Sequence, residues 1–124
     1  MGKFEIEAAA SGGYKFNLKA ANGQVIATSQ VYKALDSCKN GVESVRKNST
    51  AAALEDQTVE GYAEEKNPKF EVYTDKAGEF RFRLKAANGE IIAVGQGYSA
   101  KASCLNGIES IRTNAPEAEV EVIE

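Results

Sequence analysis

A chain of 124 residues, 43% hydrophobic and 27% charged, has the make-up of one ordinary globular domain. Its formal net charge of −3 argues against a general nucleic-acid binder, which needs a basic footprint. Histidine is absent, which removes the commonest acid–base catalyst and zinc ligand. The two cysteines, Cys38 and Cys104, are too few for a disulfide framework or a metal-ligand set, so no metal or cofactor is expected.

The opening residues MGKFEIE contain no apolar run of the secretory type, and position 6 lacks the Ser or Thr that myristoylation favours. Nor does any apolar run approach the roughly 18 residues that span a bilayer. A cytoplasmic protein without a membrane partner is the expectation.

Sliding the chain by 66 positions aligns Lys3–Asn48 with Lys69–Asn114 without a gap, and 24 of those 46 positions are identical. The chain is a tandem duplication, with a first unit over 1–62 and a second over 63–124. Two copies are too few for a solenoid. They suggest a pseudo-twofold pair, an internal version of a homodimer. Between the copies, STAAALEDQTVEGYAEEKNP is polar and ends in the turn signal Asn67-Pro68.

Within the second unit, KFEVYT and FRFRLKAA alternate with period 2, the mark of half-buried strands. DKAGE between them supplies a turn at Gly78. LKAANG occurs at 18–23 and again at 84–89, ending each time in Asn-Gly, the signal of a type I′ hairpin. A two-residue loop there sets Lys85 against Ile92. It sends Ile91 and Ala93 to the buried face, and leaves Ile92 and Val94 beside the basic side chains. Cys104, Ile108 and Ile111, like Cys38, Val42 and Val45, fall at helical spacing and predict one amphipathic helix per unit. Ser99 is the expected N-cap of the second. Gly41 and Gly107 fall mid-helix despite a cost of about 1 kcal/mol, which predicts a close approach of helix to sheet or helix to helix. A helix ending near Asn106, with Gly107 as its cap, is the other possibility. AEVEVI reads as a fourth strand, matched less regularly by LEDQTVE.

The combination KFEVY, GEFRFRLKAANGEIIA and GYSAKASCLNGIESIR resembles the YegP-like family of small bacterial tandem domains of unknown function. The resemblance implies an α+β fold: two β-β-β-α-β units build one antiparallel sheet, with both helices on one face. It also implies that the last strand of each unit is exchanged onto the other. Single-unit relatives would then dimerise, and the tandem form would be a self-contained monomer. No activity follows from it.

Three sets of residues are candidates for chemistry. Arg81, Arg83 and Lys85, with Lys15 and Lys19, form a basic stripe on the sheet face away from the helices, accompanied by Tyr73, Ile26, Ile92 and Val94. That stripe could take an anionic or single-stranded nucleic-acid partner. The expected register also sets Glu71 against Arg83, Tyr73 against Arg81 and Glu7 against Lys15, which is ordinary cross-strand pairing. Cys38 and Cys104 read as buried small hydrophobes; a thiol-redox role would need exposed, low-pKa sulfurs. Glu43 with Arg46 and Lys47, and Glu109 with Arg112, have helix-surface ion-pair spacing, while Asn40 and Asn106 project from the outer helix face where packing does not ask for Asn. The expected function is a non-enzymatic binding module. A small enzyme using the cysteines or the Glu/Ser/Asn set is the second reading, and single-stranded nucleic-acid binding the third.

Overall fold

The computed structural model describes residues 2–123. Strands β1 (Lys3–Ala9) and β2 (Gly13–Lys19) form a hairpin with Phe4 opposite Leu18, Ile6 opposite Phe16 and Glu7 opposite Lys15. In the second unit, β5 (Lys69–Thr74) and β6 (Phe80–Lys85) repeat it, with Glu71 opposite Arg83 and Tyr73 opposite Arg81. Alternation thus carries the apolar set, Phe4, Ile6, Phe16 and Leu18 with Phe70, Val72, Phe82 and Leu84, to one fully buried face.

The Asn-Gly turns differ from the type I′ expectation. Only the glycines take positive φ, 85° at Gly23 and 87° at Gly89, and no non-glycine residue does. Gly89 N–H reaches the Ala86 carbonyl at 2.9 Å, and Ala86 N–H reaches that of Glu90 at 2.9 Å. This is the three-residue loop, a type I turn closed by a glycine bulge. The extra residue shifts the register, so Lys85 faces Ile91 and Leu84 faces Ala93. Ile92 is therefore buried at 5% exposure while Ile91 stands out at 41%, the reverse of the expected assignment. In the first unit, Ile26 is likewise buried and Val25 exposed.

Helix α1 (Leu35–Ala51) follows β3 (Val25–Thr28), and α2 (Lys101–Asn114) follows β7 (Ile91–Val94). Both helices run unbroken through Gly41 and Gly107. A Cβ at Gly41 would lie 2.8 Å from Tyr32 Cζ and 3.1 Å from Phe16 Cε2; one at Gly107 would lie 2.6 Å from the Tyr98 hydroxyl. The glycines let each helix settle onto a tyrosine stacked on a core phenylalanine. Ser99 is not the cap: α2 starts from Ala100, without a side-chain cap bond, because the bridge between Tyr98 and Phe80 keeps this segment extended.

Each unit ends in a short strand, β4 (Ala53–Asp56) and β8 (Glu119–Val122). β4 pairs with β5 of the second unit and β8 with β1 of the first, so the strands are exchanged as expected. Both exchanged pairings are parallel, which makes the eight-stranded sheet mixed rather than wholly antiparallel, in the order β4-β5-β6-β7-β3-β2-β1-β8. The halves meet at the centre through a single bridge between Thr28 and Val94. These two residues correspond under the 66-residue offset, so the bridge marks the pseudo-twofold axis. No helix among the described residues is long and apolar enough to cross a membrane.

Candidate functional site

The basic stripe is on the outer sheet face, but most of it is neutralised from within. Glu71 holds Arg83 at 2.5 Å, Lys69 at 3.2 Å and Lys85 at 3.3 Å. Arg81 pairs with Asp75 at 2.6 Å, and Lys19 with Glu5 at 2.9 Å. Arg83 also lies over the Tyr73 ring, 4.4 Å from its centroid. Lys15 alone of the stripe has no carboxylate at ion-pair distance among the described residues, because Glu7 opposite it accepts from the Asn17 amide instead. Charges spent on internal pairs offer little free field to an anion. Ile26 and Ile92, expected on this face, belong to the core.

Beside the stripe lies a network that sequence reading did not anticipate. Glu55 is 2% exposed and accepts from Lys69 Nζ at 2.8 Å, from Gln57 Nε2 at 2.6 Å and from the Glu65 N–H at 2.7 Å. The connection after β4 thus folds over the sheet and is pinned there. Burial pushes the Glu55 carboxyl up, but the Lys69 ammonium and the two amide donors outweigh it and hold the group at about 2.

Cys38 and Cys104 are fully buried and unpaired with each other. Burial pushes both thiols up, and with the Asp56 charge takes Cys104 to about 11. Thiolates are scarce under those conditions. The Glu109 carboxylate is engaged by Arg112 at 3.1 Å, and the Ser110 hydroxyl accepts from the Asn114 amide at 3.1 Å. Neither is aimed at a shared reaction centre.

The helix side is different. Asn40 and Asn106 are exposed, and among the described residues no hydrogen bond occupies either amide. Each lies in a groove between the helix of one unit and the hairpin of the other. The α2 groove, of about 200 Å³, joins Ala20, Asn22, Gln24 and Ile26 of the first unit to Gln96, Tyr98, Asn106 and Ser110 of the second. The α1 groove, of about 380 Å³, joins Asn40, Glu43, Ser44 and Lys47 to Ala86 and Asn88, and so carries two charged side chains. Nine of the eleven positions lining the α2 groove hold the same residue 66 positions away, against 24 of 46 over the whole alignment. Only Gln24/Glu90 and Val25/Ile91 differ.

Some of this identity has a structural cause. Asn22 and Asn88 each accept the N–H two residues on, at 3.0 Å, and so fasten the hairpin turn. Gly41 and Gly107 make room for the tyrosines. No such cause accounts for Asn40, Asn106, Ser37 or Ser103. The offset displayed these pairs, but not that the hairpin of one unit rests against the helix of the other.

The profile described as a domain of unknown function, DUF1508, matches residues 9–56 and 75–121. A UPF0339 protein of Pseudomonas aeruginosa is 40% identical over 116 residues, covering 94% of this chain and 92% of that one. A UPF0339 protein of Treponema denticola is 67% identical over 52 residues, which is 42% of this chain but 90% of the relative. Among solved structures, the solution structure of the E. coli protein of unknown function YegP superposes with a TM-score of 0.80 at 33% identity. That match covers 98% of this chain and 91% of the other. Two repeats, the exchanged strands and these matches agree: the chain belongs to the DUF1508/UPF0339, YegP-like family, in its two-unit form.

Proposed function

We propose that the protein is a non-enzymatic binding module whose ligand sites are the two grooves shared between the units. The observation that carries this is the convergence of duplicated polar side chains from opposite units, Asn40 or Asn106, Ser44 or Ser110 and Asn88 or Asn22, on two related concavities. Asn40 and Asn106 are central, since no packing or turn requirement accounts for them. The α2 groove presents amides (Asn22, Gln24, Gln96, Asn106), a hydroxyl of Ser110 and the Tyr98 phenol, and no charged side chain. Such a lining suits a small uncharged molecule that both donates and accepts hydrogen bonds.

A screen of neutral polar compounds (monosaccharides, nucleosides, short uncharged amides) against the isotope-labelled protein tests the proposal. Amide-signal changes gathered at 20–26 with 96–110, and at 86–92 with 30–44, support it. They should be lost in Asn40→Ala/Asn106→Ala. Changes confined to the outer sheet face, or turnover of any compound, overturn it. The enzyme reading finds less support, because the thiols are buried and the Glu109 carboxylate is already engaged by Arg112.

A further inference from the structure

The sheet has two edges, and they are not equivalent. At the β4 edge, Asp56 is tied across to α2 by an ion pair with Lys101 and takes Thr58 as a second partner. The corresponding residues at the other edge are Val122 and Leu35, so the equivalent ion pair cannot form there. The space between β8 and α1 is instead a groove of about 350 Å³, lined by Val120 and Val122 of the strand and by Lys39, Asn40, Val42 and Glu43 of the helix.

All four residues of β8 are exposed. Ile123 N–H donates inward to the Ile6 carbonyl at 2.8 Å. By strand alternation, Val120 and Val122 therefore direct their N–H and C=O groups outward, away from β1. Parallel pairing sets Val120 beside Phe4 and Val122 beside Ile6, on the helix side, and puts Glu119 and Glu121 on the outer side with Lys3 and Glu5. Glu121 reaches only Lys3, at 3.8 Å, and Glu119 has no ion partner among the described residues. The edge thus offers free main-chain groups, a cleft with valines on the strand side and Lys39, Asn40 and Glu43 on the helix side, and two weakly compensated carboxylates on the outer face.

We infer that the β8 edge accepts an extended segment of a partner protein in which apolar and basic residues alternate. The segment adds as a ninth strand through main-chain bonds to Val120 and Val122. Its apolar side chains enter the cleft beside Val120 and Val122, which are 38% and 37% exposed, and its basic side chains lie beside Glu119 and Glu121. Charge complementarity selects this occupant: an acidic alternating segment would meet like charges across the ladder. A second copy of β8 would do the same, since its own pattern is Glu-Val-Glu-Val.

The test uses the full chain and two capped hexapeptides, one alternating lysine and valine, the other glutamate and valine. The lysine peptide is expected to perturb the amide signals of 119–123 and 39–43, and to bind at least about tenfold tighter than the glutamate peptide, a difference of about 1.4 kcal/mol. Val120→Pro removes an outward N–H without touching the β1 ladder, and should weaken binding by about tenfold or more. Glu119→Lys/Glu121→Lys, which leaves the backbone alone, should invert the preference between the peptides, and keeps the test decisive if the proline variant unfolds. Equal affinity for both peptides, perturbation elsewhere, no binding at millimolar peptide, or concentration-dependent self-association through β8 would each overturn the inference.

Discussion

The Arg112 guanidinium donates to the carbonyl oxygen of Ala52, 60 residues away in the other unit, at 2.9 Å. Ala52 is the last residue before exchanged strand β4, and Arg112 lies over Phe70, 5.3 Å from the ring centroid. Arg46 repeats the arrangement with the Ala118 carbonyl, just before β8, and with Phe4. Each arginine therefore fastens the strand that its neighbour unit sends across. Arg112→Ala should lower stability by about 1–3 kcal/mol, because a part-buried carbonyl loses its charged donor and Phe70 loses its cover. Urea unfolding with an unchanged m-value would check this. The Arg46→Ala/Arg112→Ala pair should cost roughly the sum, since the two sites share no partner.

Gly41→Ala tests the close approach of α1. Alanine improves intrinsic helix propensity by about 1 kcal/mol, yet the new methyl would press on the Tyr32 ring at 2.8 Å and on Phe16 at 3.1 Å. Overpacking of this kind costs about 1–3 kcal/mol. The net effect expected is a loss of about 1 kcal/mol in thermal or urea unfolding, recovered only in part by Tyr32→Phe, which leaves the ring carbons in place. A gain in stability would show that the helix shifts freely.

Acid sensitivity should centre on the Glu55 network. The folded-state pKa of Glu55 lies below its ordinary 4.5, at about 2. Its contribution is therefore fully present above about pH 4.5 and is lost as the pH falls toward 2. Burial raises the Glu71 and Asp56 carboxyls, but the Arg83 and Lys101 pairs respectively outweigh it, so both act in the same direction. Glu55→Gln should cost about 1–3 kcal/mol at neutral pH, since buried Lys69 keeps only Glu71 as its anion. Its stability should also fall less steeply between pH 4.5 and 2 than that of the parent, as followed by circular dichroism.

Native Cys38 and Cys104 should resist thiol reagents. With both sulfurs fully buried and Cys104 raised to about 11, labelling by a disulfide reagent at pH 8 should proceed at the rate of opening and jump on adding denaturant. Stoichiometric labelling within seconds would favour the thiol-redox reading.

Alternation alone carried much of the architecture. Phe, Arg, Phe, Arg, Leu, Lys along β6 gave the register with β5 down to Glu71 against Arg83. The hairpin failed by one residue because Asn-Gly serves two loop types, and only the backbone at Asn88 distinguishes them. That residue was enough to exchange Ile91 for Ile92. The parallel joining of β4 and β8 is a matter of where each strand lands after its helix, which local pattern does not encode. Glu55 and Lys69 look like solvated strand charges in sequence; they are buried because the connection between β4 and β5 closes over them and brings the Glu65 N–H back to Glu55, 10 residues earlier. Asn40 and Asn106 are legible in the sequence as a duplicated polar pair, whereas their opposing walls come from a distant part of the chain.

Because every groove takes one wall from each half, covalent fusion has an effect on specialisation. If two identical single units assembled this way, any substitution would appear in both cavities at once. Here the α1 groove carries Lys47, whose counterpart is Thr113, and the α2 groove carries Gln24, whose counterpart is Glu90, so the two cavities already differ in charge. A tandem chain can thus tune two related pockets separately while its shared sheet stays the same.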